Sequence, residues 1–230
     1  MMNWLFCAVI CLIGYHIFDG LRRGFIRKSV SMVSLILTLA LVTWLTPQIT
    51  NFISEKTPLQ KSLQKKCSEM FLDEDYDSEV KTDQVLMIEN MNLPENIKEM
   101  ILENNNSEAY HLLEVTGFQE YVGAYLAELI INTLAYFIAF VVVWALIRAV
   151  LLALDVVTML PVLHGINKFA GGILGFAEGI VLVWIAFLFV TILCNGELGQ
   201  RFFELISENK FLLLLYNNNV IMKIVFGIIF

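Results

Sequence analysis

The sequence predicts an all-α integral membrane protein with four transmembrane helices, the first two short and hairpin-like, and a helical, acidic extracytoplasmic insert. Three observations predict this class. The 230 residues are 58% hydrophobic and only 16% charged, with a mean hydropathy of +0.71, which is too apolar for an ordinary soluble domain. The apolar residues fall into four separate blocks. The last block begins with a regular glycine pattern that is typical of helix contacts inside a bilayer.

The four apolar blocks predict where the chain crosses the membrane. They cover about residues 4–18, 30–45, 122–147 and 169–194. The first two are only about 15 to 16 residues long, at or just below the length that crosses the hydrocarbon core. They form either two short spans, which we favour, or one re-entrant helical hairpin.

These blocks divide the chain into four parts. Residues 1–46 form an N-terminal helical hairpin, residues 47–121 an extracytoplasmic insert, residues 122–194 two further spans with a cytoplasmic connection, and residues 195–230 an extracytoplasmic tail. No Lys or Arg precedes Trp4. The first block therefore lacks the basic start of a signal peptide, and we expect it to remain in the mature protein.

A basic linker sets the expected orientation. Residues 19–28 contain three arginines and one lysine against a single aspartate, a balance of +3. Short loops with such an excess stay in the cytoplasm. Alternation across the other spans then places the insert and both termini outside the cytoplasm.

The insert is predicted to be helical and acidic. It holds 15 acidic residues and six lysines. Leu59, Leu63, Cys67 and Phe71 fall on one helical face, and a second short helix is expected from Pro94 to Leu102. The acidic run 73–77 indicates a solvated surface rather than a calcium site, because it has no glycine for an EF-hand turn.

Candidates for catalysis are sparse. The three histidines lie in different predicted compartments, and no nucleophile elbow, phosphate loop or zinc-protease motif is present. Cys7, Cys11 and Cys194 are expected to pack at membrane depth, and only Cys67 is expected to meet water. We therefore expect no enzyme, no cofactor, no metal site and no nucleic-acid partner.

The glycines of the last block predict a helix-packing surface. Gly171, Gly175 and Gly179 recur every four residues, so they share one helix face. A smooth glycine face lets a second helix approach closely in a bilayer, where lipid tails provide no hydrophobic drive for association.

Polar side chains inside the spans are the best functional candidates, because hydrocarbon penalises them unless they face a partner or water. Glu178 lies near the bilayer middle, about nine residues into the last span. Its candidate partners are Arg27, Arg148 and His16. Glu128 and Asn132, one turn apart, form a second polar face. Hydrogen bonding between helices is favoured over an ion or proton path for both groups.

Three segments resemble a known family. Asp19-Gly20-Leu21-Arg22-Arg23-Gly24-Phe25-Ile26-Arg27, after a short first span, is similar to the opening of the colicin V production protein (CvpA) family. Leu163 to Gly179, with Asn167-Lys168 before Gly171-Gly172 and Gly175, resembles its second motif, and Asn209 to Asn219 is similar to the ending of its Gram-positive members. None is an active-site motif. The resemblance implies a four-span protein of the bacterial plasma (inner) membrane, linked to colicin V production or export and to envelope physiology.

The first of these segments is interpreted as a topology anchor and hairpin turn, which is favoured over a ligand-binding site. Its residues are Asp19, Arg22, Arg23, Gly24 and Arg27. The aspartate can pair with an arginine one turn on, while the arginines also meet anionic headgroups. Gly20 and Gly24 allow the tight reversal that two short helices need.

Two function classes follow. In the first, the protein is a non-enzymatic scaffold that assists toxin or peptide export and envelope maintenance through its helix faces and external insert. Its partners are the lipid bilayer and either further copies of itself or envelope and secretion proteins. In the second, several copies form a small channel or transporter with Glu178 and Glu128 lining the path.

Overall fold

The computed structural model describes residues 3–71, 80–91, 93–153, 166–192 and 197–226, and its regular structure within these ranges is helical throughout. The all-α class is therefore confirmed. The ten helices of the described ranges are α1 (Trp4–Lys56), α2 (Leu59–Phe71), α3 (Lys81–Asn90), α4 (Glu95–Glu103), α5 (Ser107–Leu112), α6 (Phe118–Ala153), α7 (Ile166–Ile192), α8 (Glu197–Ser207), α9 (Lys210–Asn217) and α10 (Val220–Phe226).

Three of the described helices are long and apolar enough to cross a membrane. They are α1, residues Phe118–Leu152 of α6 and Ile166–Thr191 of α7. The chain is accordingly a multi-pass membrane protein. The count differs from the four predicted spans, because the first two apolar blocks lie within the single assigned helix α1.

Helix α1 folds back on itself at Gly24. This residue has φ 77° and ψ 169°, a conformation that glycine adopts readily and side-chain-bearing residues rarely adopt. His16 precedes it and Ser31 follows it, yet both contact Glu178 of α7. A straight helix would separate them by about 22 Å. Residues 4–23 and 25–56, called here the first arm and the second arm, therefore both pack against α7.

The reversal needs only one residue. Residues 19–28, predicted to form a loop, are helical on both sides of Gly24. Asn3 caps the start of the first arm, where its side-chain oxygen accepts from the Phe6 N–H at 2.9 Å. Each arm is consequently longer than the apolar block that predicted it.

Helix α6 completes the apolar bundle. Thr50, near the end of the second arm, donates to Asn132 in the first half of α6 at 2.7 Å, so these two segments lie side by side. Phe137 of α6 contacts Phe189 of α7 with ring centroids 4.9 Å apart. The second arm, α6 and α7 therefore enclose a common interior together with the first arm.

The insert packs around the N-terminal end of α6. Helices α2 and α4 lie where the sequence predicts helices, and Ile97 and Ile101 of α4 are fully buried. Helices α3 and α5 were not predicted. Tyr110 and Tyr121 stack at 4.8 Å between centroids, and the Tyr121 hydroxyl donates to the Ile101 carbonyl at 2.7 Å.

The predictions for the cysteines were wrong where the structure describes them. Cys67 is fully buried rather than exposed to water, because the apolar face of α2 packs against α6. Cys7 and Cys11 are exposed on the first arm. Cys194, the acidic run 73–77 and His164 lie outside the described residues.

The C-terminal tail docks onto α7. The Trp184 indole donates to the Leu215 carbonyl at 3.0 Å, and the Asn219 amide donates to the Trp184 carbonyl at 2.9 Å. The Asn219 side-chain oxygen also accepts from the Met222 N–H at 3.0 Å. This asparagine therefore both starts α10 and attaches it to a membrane helix.

Candidate functional site: a buried charge cluster between the hairpin and α7

Glycines on two helices bring the hairpin and α7 into close contact. A Cβ atom on Gly171 would overlap the Gly20 carbonyl oxygen, and one on Gly175 would overlap the His16 carbonyl oxygen. A Cβ on Gly179 would lie 3.1 Å from the Ile13 Cα. The three predicted packing glycines thus face the backbone of the first arm along about 12 Å of α7.

Asn167 of α7 supports the hairpin turn. Its side-chain oxygen accepts from the Ile26 N–H at 3.3 Å, just after the residue with positive φ. A Cβ on Gly24 would lie 2.5 Å from the Asn167 Nδ2. Glycine is required at the turn for two reasons, the backbone conformation and the close approach of α7.

Glu178 lies at the centre of a cluster formed by three segments. Its carboxylate pairs with the ammonium group of Lys28 and accepts from the Ser31 hydroxyl at 3.0 Å. The Nδ1 atom of His16 lies 3.6 Å from its Oε2. Lys28 also contacts Asp19, with Nζ 3.2 Å from Oδ2. Lys28 therefore bridges two carboxylates, one before the hairpin turn and one on α7.

Burial makes this pairing energetically important. Lys28 is 1% exposed and Glu178 is 7% exposed. Taking a charge into a low-dielectric interior is costly unless an opposite charge and hydrogen bonds compensate it. Here each buried charge has both, so the cluster ties the two arms to α7.

Sequence reasoning missed Lys28. It named Arg27, Arg148 and His16 as candidate partners of Glu178. His16 makes the contact described above. Arg148 lines the adjoining pocket, and Arg27 is exposed. The position of Lys28 at helical spacing from the apolar and threonine residues of the second arm was a usable signal for its burial. Lys28 begins a helical stripe of buried residues on the second arm that continues through Leu35, Thr38, Val42, Thr46 and Thr50.

The other anchor residues lie at the surface of the turn. Arg23 contacts Asp19, with Nε 2.7 Å from Oδ1, one helical turn away. Arg22 and Arg27 are exposed. The basic segment thus contains exposed arginines at the surface of the turn. It also contains one buried lysine, which pairs with carboxylates inside the helix group.

A pocket of about 420 Å³ adjoins Glu178. The first arm contributes His16, the second arm contributes Ser31 and Ser34, and α6 contributes a largely aromatic wall. The cluster is therefore reachable from a cavity between the helices rather than sealed in a solid core.

Glu128 and Asn132 form a separate polar cluster. The Asn132 amide donates to Glu128 at 3.4 Å, and the Gln60 amide of α2 donates to the same carboxylate at 3.3 Å. Glu128 is nine residues, or about 14 Å of helix, from Phe137, the nearest α6 residue that lines the Glu178 pocket. The two intramembrane carboxylates therefore lie in different places.

Across the described ranges, no three His, Cys, Asp or Glu side chains converge as a group that could hold a metal ion. Glu178 is paired with a positive charge of the chain itself. The Lys28 ammonium group occupies the position beside its carboxylate that a metal cation would take.

Comparison with known proteins identifies one family. The family model "Colicin V production protein" matches residues 111–215. This region includes α6, α7 and the second motif noted in the sequence, whereas the first motif, Asp19 to Arg27, lies outside it. No curated protein and no solved structure matches the chain. The resemblance predicted from the sequence is therefore confirmed over residues 111–215, which match the colicin V production protein family and contain the second motif.

Proposed function

We propose that this chain is a non-enzymatic protein of the bacterial plasma membrane that assists the production or export of a colicin V-type peptide and the maintenance of the envelope. The observation that carries the proposal is the family domain over residues 111–215. That domain supports a colicin V production-type membrane protein, and the assisting role is our extension of it.

The architecture supports a scaffold. Glycine contacts between Gly175 and His16, and the ion pairs of Lys28, hold the hairpin and α7 together over much of their length. A tightly packed helix group with a folded insert suits a protein that presents surfaces to further copies of itself or to envelope and secretion proteins. The proposal includes no nucleic-acid partner.

We also propose a topology of four crossings. The two arms of α1 would cross separately, with the exposed arginines of residues 19–28 in the cytoplasm, in keeping with the positive-inside rule. The insert, the tail and both termini would then lie outside. In the structure the turn at Gly24 lies beside Asn167, near the start of α7, as this topology requires.

A deletion strain tests the assisting role. A bacterium that lacks this protein and carries a colicin V-type peptide operon should release less peptide into the medium, and the wild-type gene should restore release. The peptide is measured in medium and cells by mass spectrometry. Co-purification from native membranes then identifies the partner. Equal release with and without the protein would contradict the proposal.

A small channel or transporter is the second candidate, and the pocket beside the buried Glu178 favours it. Because Glu128 lies apart, Glu178 would have to act in such a path without it. The Glu178→Gln variant separates the two functions, since Gln keeps the size and the acceptor for Ser31. The scaffold predicts near-normal export by the folded protein, with lowered stability because Lys28 keeps only Asp19 as a charged partner. A transporter predicts loss of proton- or ion-dependent flux in reconstituted vesicles although the protein folds.

A further inference from the structure

One wall of the pocket beside Glu178 is formed by α6 and changes from apolar to positively charged along the helix. Phe137, Val141, Trp144 and Arg148 of α6 line it, and their spacing places them on one helix face. Along the helix they cover about 16 Å. Phe137 lies at one end of this wall and the Arg148 guanidinium group at the other, and Leu182 of α7 lines the same pocket.

The wall is open on the outside of the bundle. Val141 is 49% exposed and Trp144 is 46% exposed, and both belong to a helix that is long and apolar enough to cross a membrane. In a bilayer this opening faces lipid. A volume of about 420 Å³ lies in the range of small-molecule sites, about 300–1,000 Å³.

The charge at the polar end is positive. Among the described residues Arg148 has no ion-pair partner, and its Cζ lies 5.7 Å from the centre of the Trp144 ring. Glu178, deeper in the pocket, is already paired with Lys28. Within the described ranges the Arg148 guanidinium group thus has no charged partner and lies beside an aromatic ring. This arrangement suits a phosphate at the headgroup level.

We propose that this pocket binds an anionic phospholipid of the surrounding bilayer. One acyl chain lies against Phe137, Val141 and Leu182, and the phosphate pairs with Arg148 near the Trp144 ring. Basic pockets between membrane helices bind anionic headgroups by the same electrostatics. The lipid site is independent of the proposed export role, so an experiment that contradicts one proposal leaves the other standing.

Lipid retention tests the site. The full chain is reconstituted in bilayers with equal amounts of phosphatidylglycerol and phosphatidylcholine, and native mass spectrometry measures the lipid that remains bound. We expect one phosphatidylglycerol per chain in preference to phosphatidylcholine. Arg148→Gln should reduce this preference about tenfold through the lost charge-assisted contact, while Lys168→Gln, an exposed cation outside the pocket, should not.

A second matched pair tests the acyl-chain position. Leu182→Trp fills the apolar part of the pocket and should abolish stoichiometric retention. Leu146→Trp, on the exposed surface of α6, should retain lipid as the wild type does. Any of four results would overturn the proposal. Leu182→Trp retains as much lipid as the wild type, or the wild type shows no preference for the anionic lipid. Inorganic phosphate alone displaces the lipid, or the wild type is a lipid-free dimer that Leu182→Trp dissociates.

Discussion

Lys28 is buried although the arginines around it in the sequence are exposed. It closes a basic segment, yet only its side chain in that segment is buried, and it pairs with Asp19 and Glu178. Four residues after the turn, it points into the helix group, while Arg22 and Arg27 remain exposed. Its position rather than its charge alone makes it a structural residue.

Replacing Lys28 by Met should destabilise the fold strongly, because Glu178 would keep a buried charge without its cation. Breaking one partner of a buried pair costs about 3–5 kcal/mol. Lys65→Met is the control, since its pair with Glu69 is exposed and contributes at most about 1 kcal/mol. Thermal unfolding in detergent measures both variants.

The double variant Lys28→Met with Glu178→Gln extends this test. It removes both charges and should recover part of the lost stability, as a coupled pair does in a double-mutant cycle. Equal unfolding temperatures for Lys28→Met and Lys65→Met would contradict the assignment of Lys28.

Asn219 provides a second prediction at this scale. It is 1% exposed and serves α10 as an N-cap while it donates to the Trp184 carbonyl. Asn219→Ala should cost about 1–2 kcal/mol through the lost cap and the unpaired carbonyl. Asn218→Ala, one residue away and exposed, should change the unfolding temperature much less. The reverse order would disprove the docking role.

At the scale of elements, backbone contact between the first arm and α7 dominates. Such contact is available where at least one of the two helices carries a glycine, and at Gly20 and Gly171 both helices do. In lipid, close packing of this kind replaces the hydrophobic effect as the drive for helix association. The same contact brings His16 and Glu178 within reach of each other.

A pair of glycine variants tests this contact. Gly175→Ala introduces a Cβ atom onto the His16 carbonyl and should lower the unfolding temperature. Gly14→Ala, on the first arm, meets nothing within 4 Å, and because alanine favours a helix by about 1 kcal/mol it should be neutral or stabilising. Equal effects of the two changes in a detergent melt would refute the packing surface.

For the whole molecule, the orientation of the hairpin determines where every other part lies. The exposed arginines at the turn lie on the same side of the bundle as the start of α7, and the insert lies on the other side. Because Cys67 is buried, it is unsuitable as a native topology probe. Introduced cysteines have to replace it.

Impermeant maleimide labelling of intact cells tests the proposed topology. In a background in which Cys7, Cys11 and Cys194 are replaced by Ser, Lys65→Cys on the exposed surface of α2 should react once any outer barrier is permeable. Lys168→Cys, exposed at the start of α7, should react only after lysis, because the proposed topology places the turn side in the cytoplasm. Labelling in the opposite order would reverse the orientation.

Local sequence patterns were sufficient for features that depend on one helix at a time. Composition and apolar periodicity predicted the helical class and helices α2 and α4, because the spacing of apolar residues along the sequence shows which face of a helix is buried. The same reasoning singled out Gly175 by its four-residue repeat and Glu178 by its isolation in an apolar run. The motif around Asn167 is one of the three that carried the family resemblance, and it lies within the matched residues 111–215.

Tertiary structure alone decided which side chains meet. The pairing of Lys28 with Glu178 joins residues 150 positions apart, and it exists because one glycine reverses the chain. The burial of Cys67 depends likewise on the packing of α2 against α6. The pocket with Arg148 at its mouth is assembled from both arms, α6 and α7. Sequence spacing specifies the faces of a helix, whereas the choice between competing partners for each face depends on the energy of the whole packed bundle.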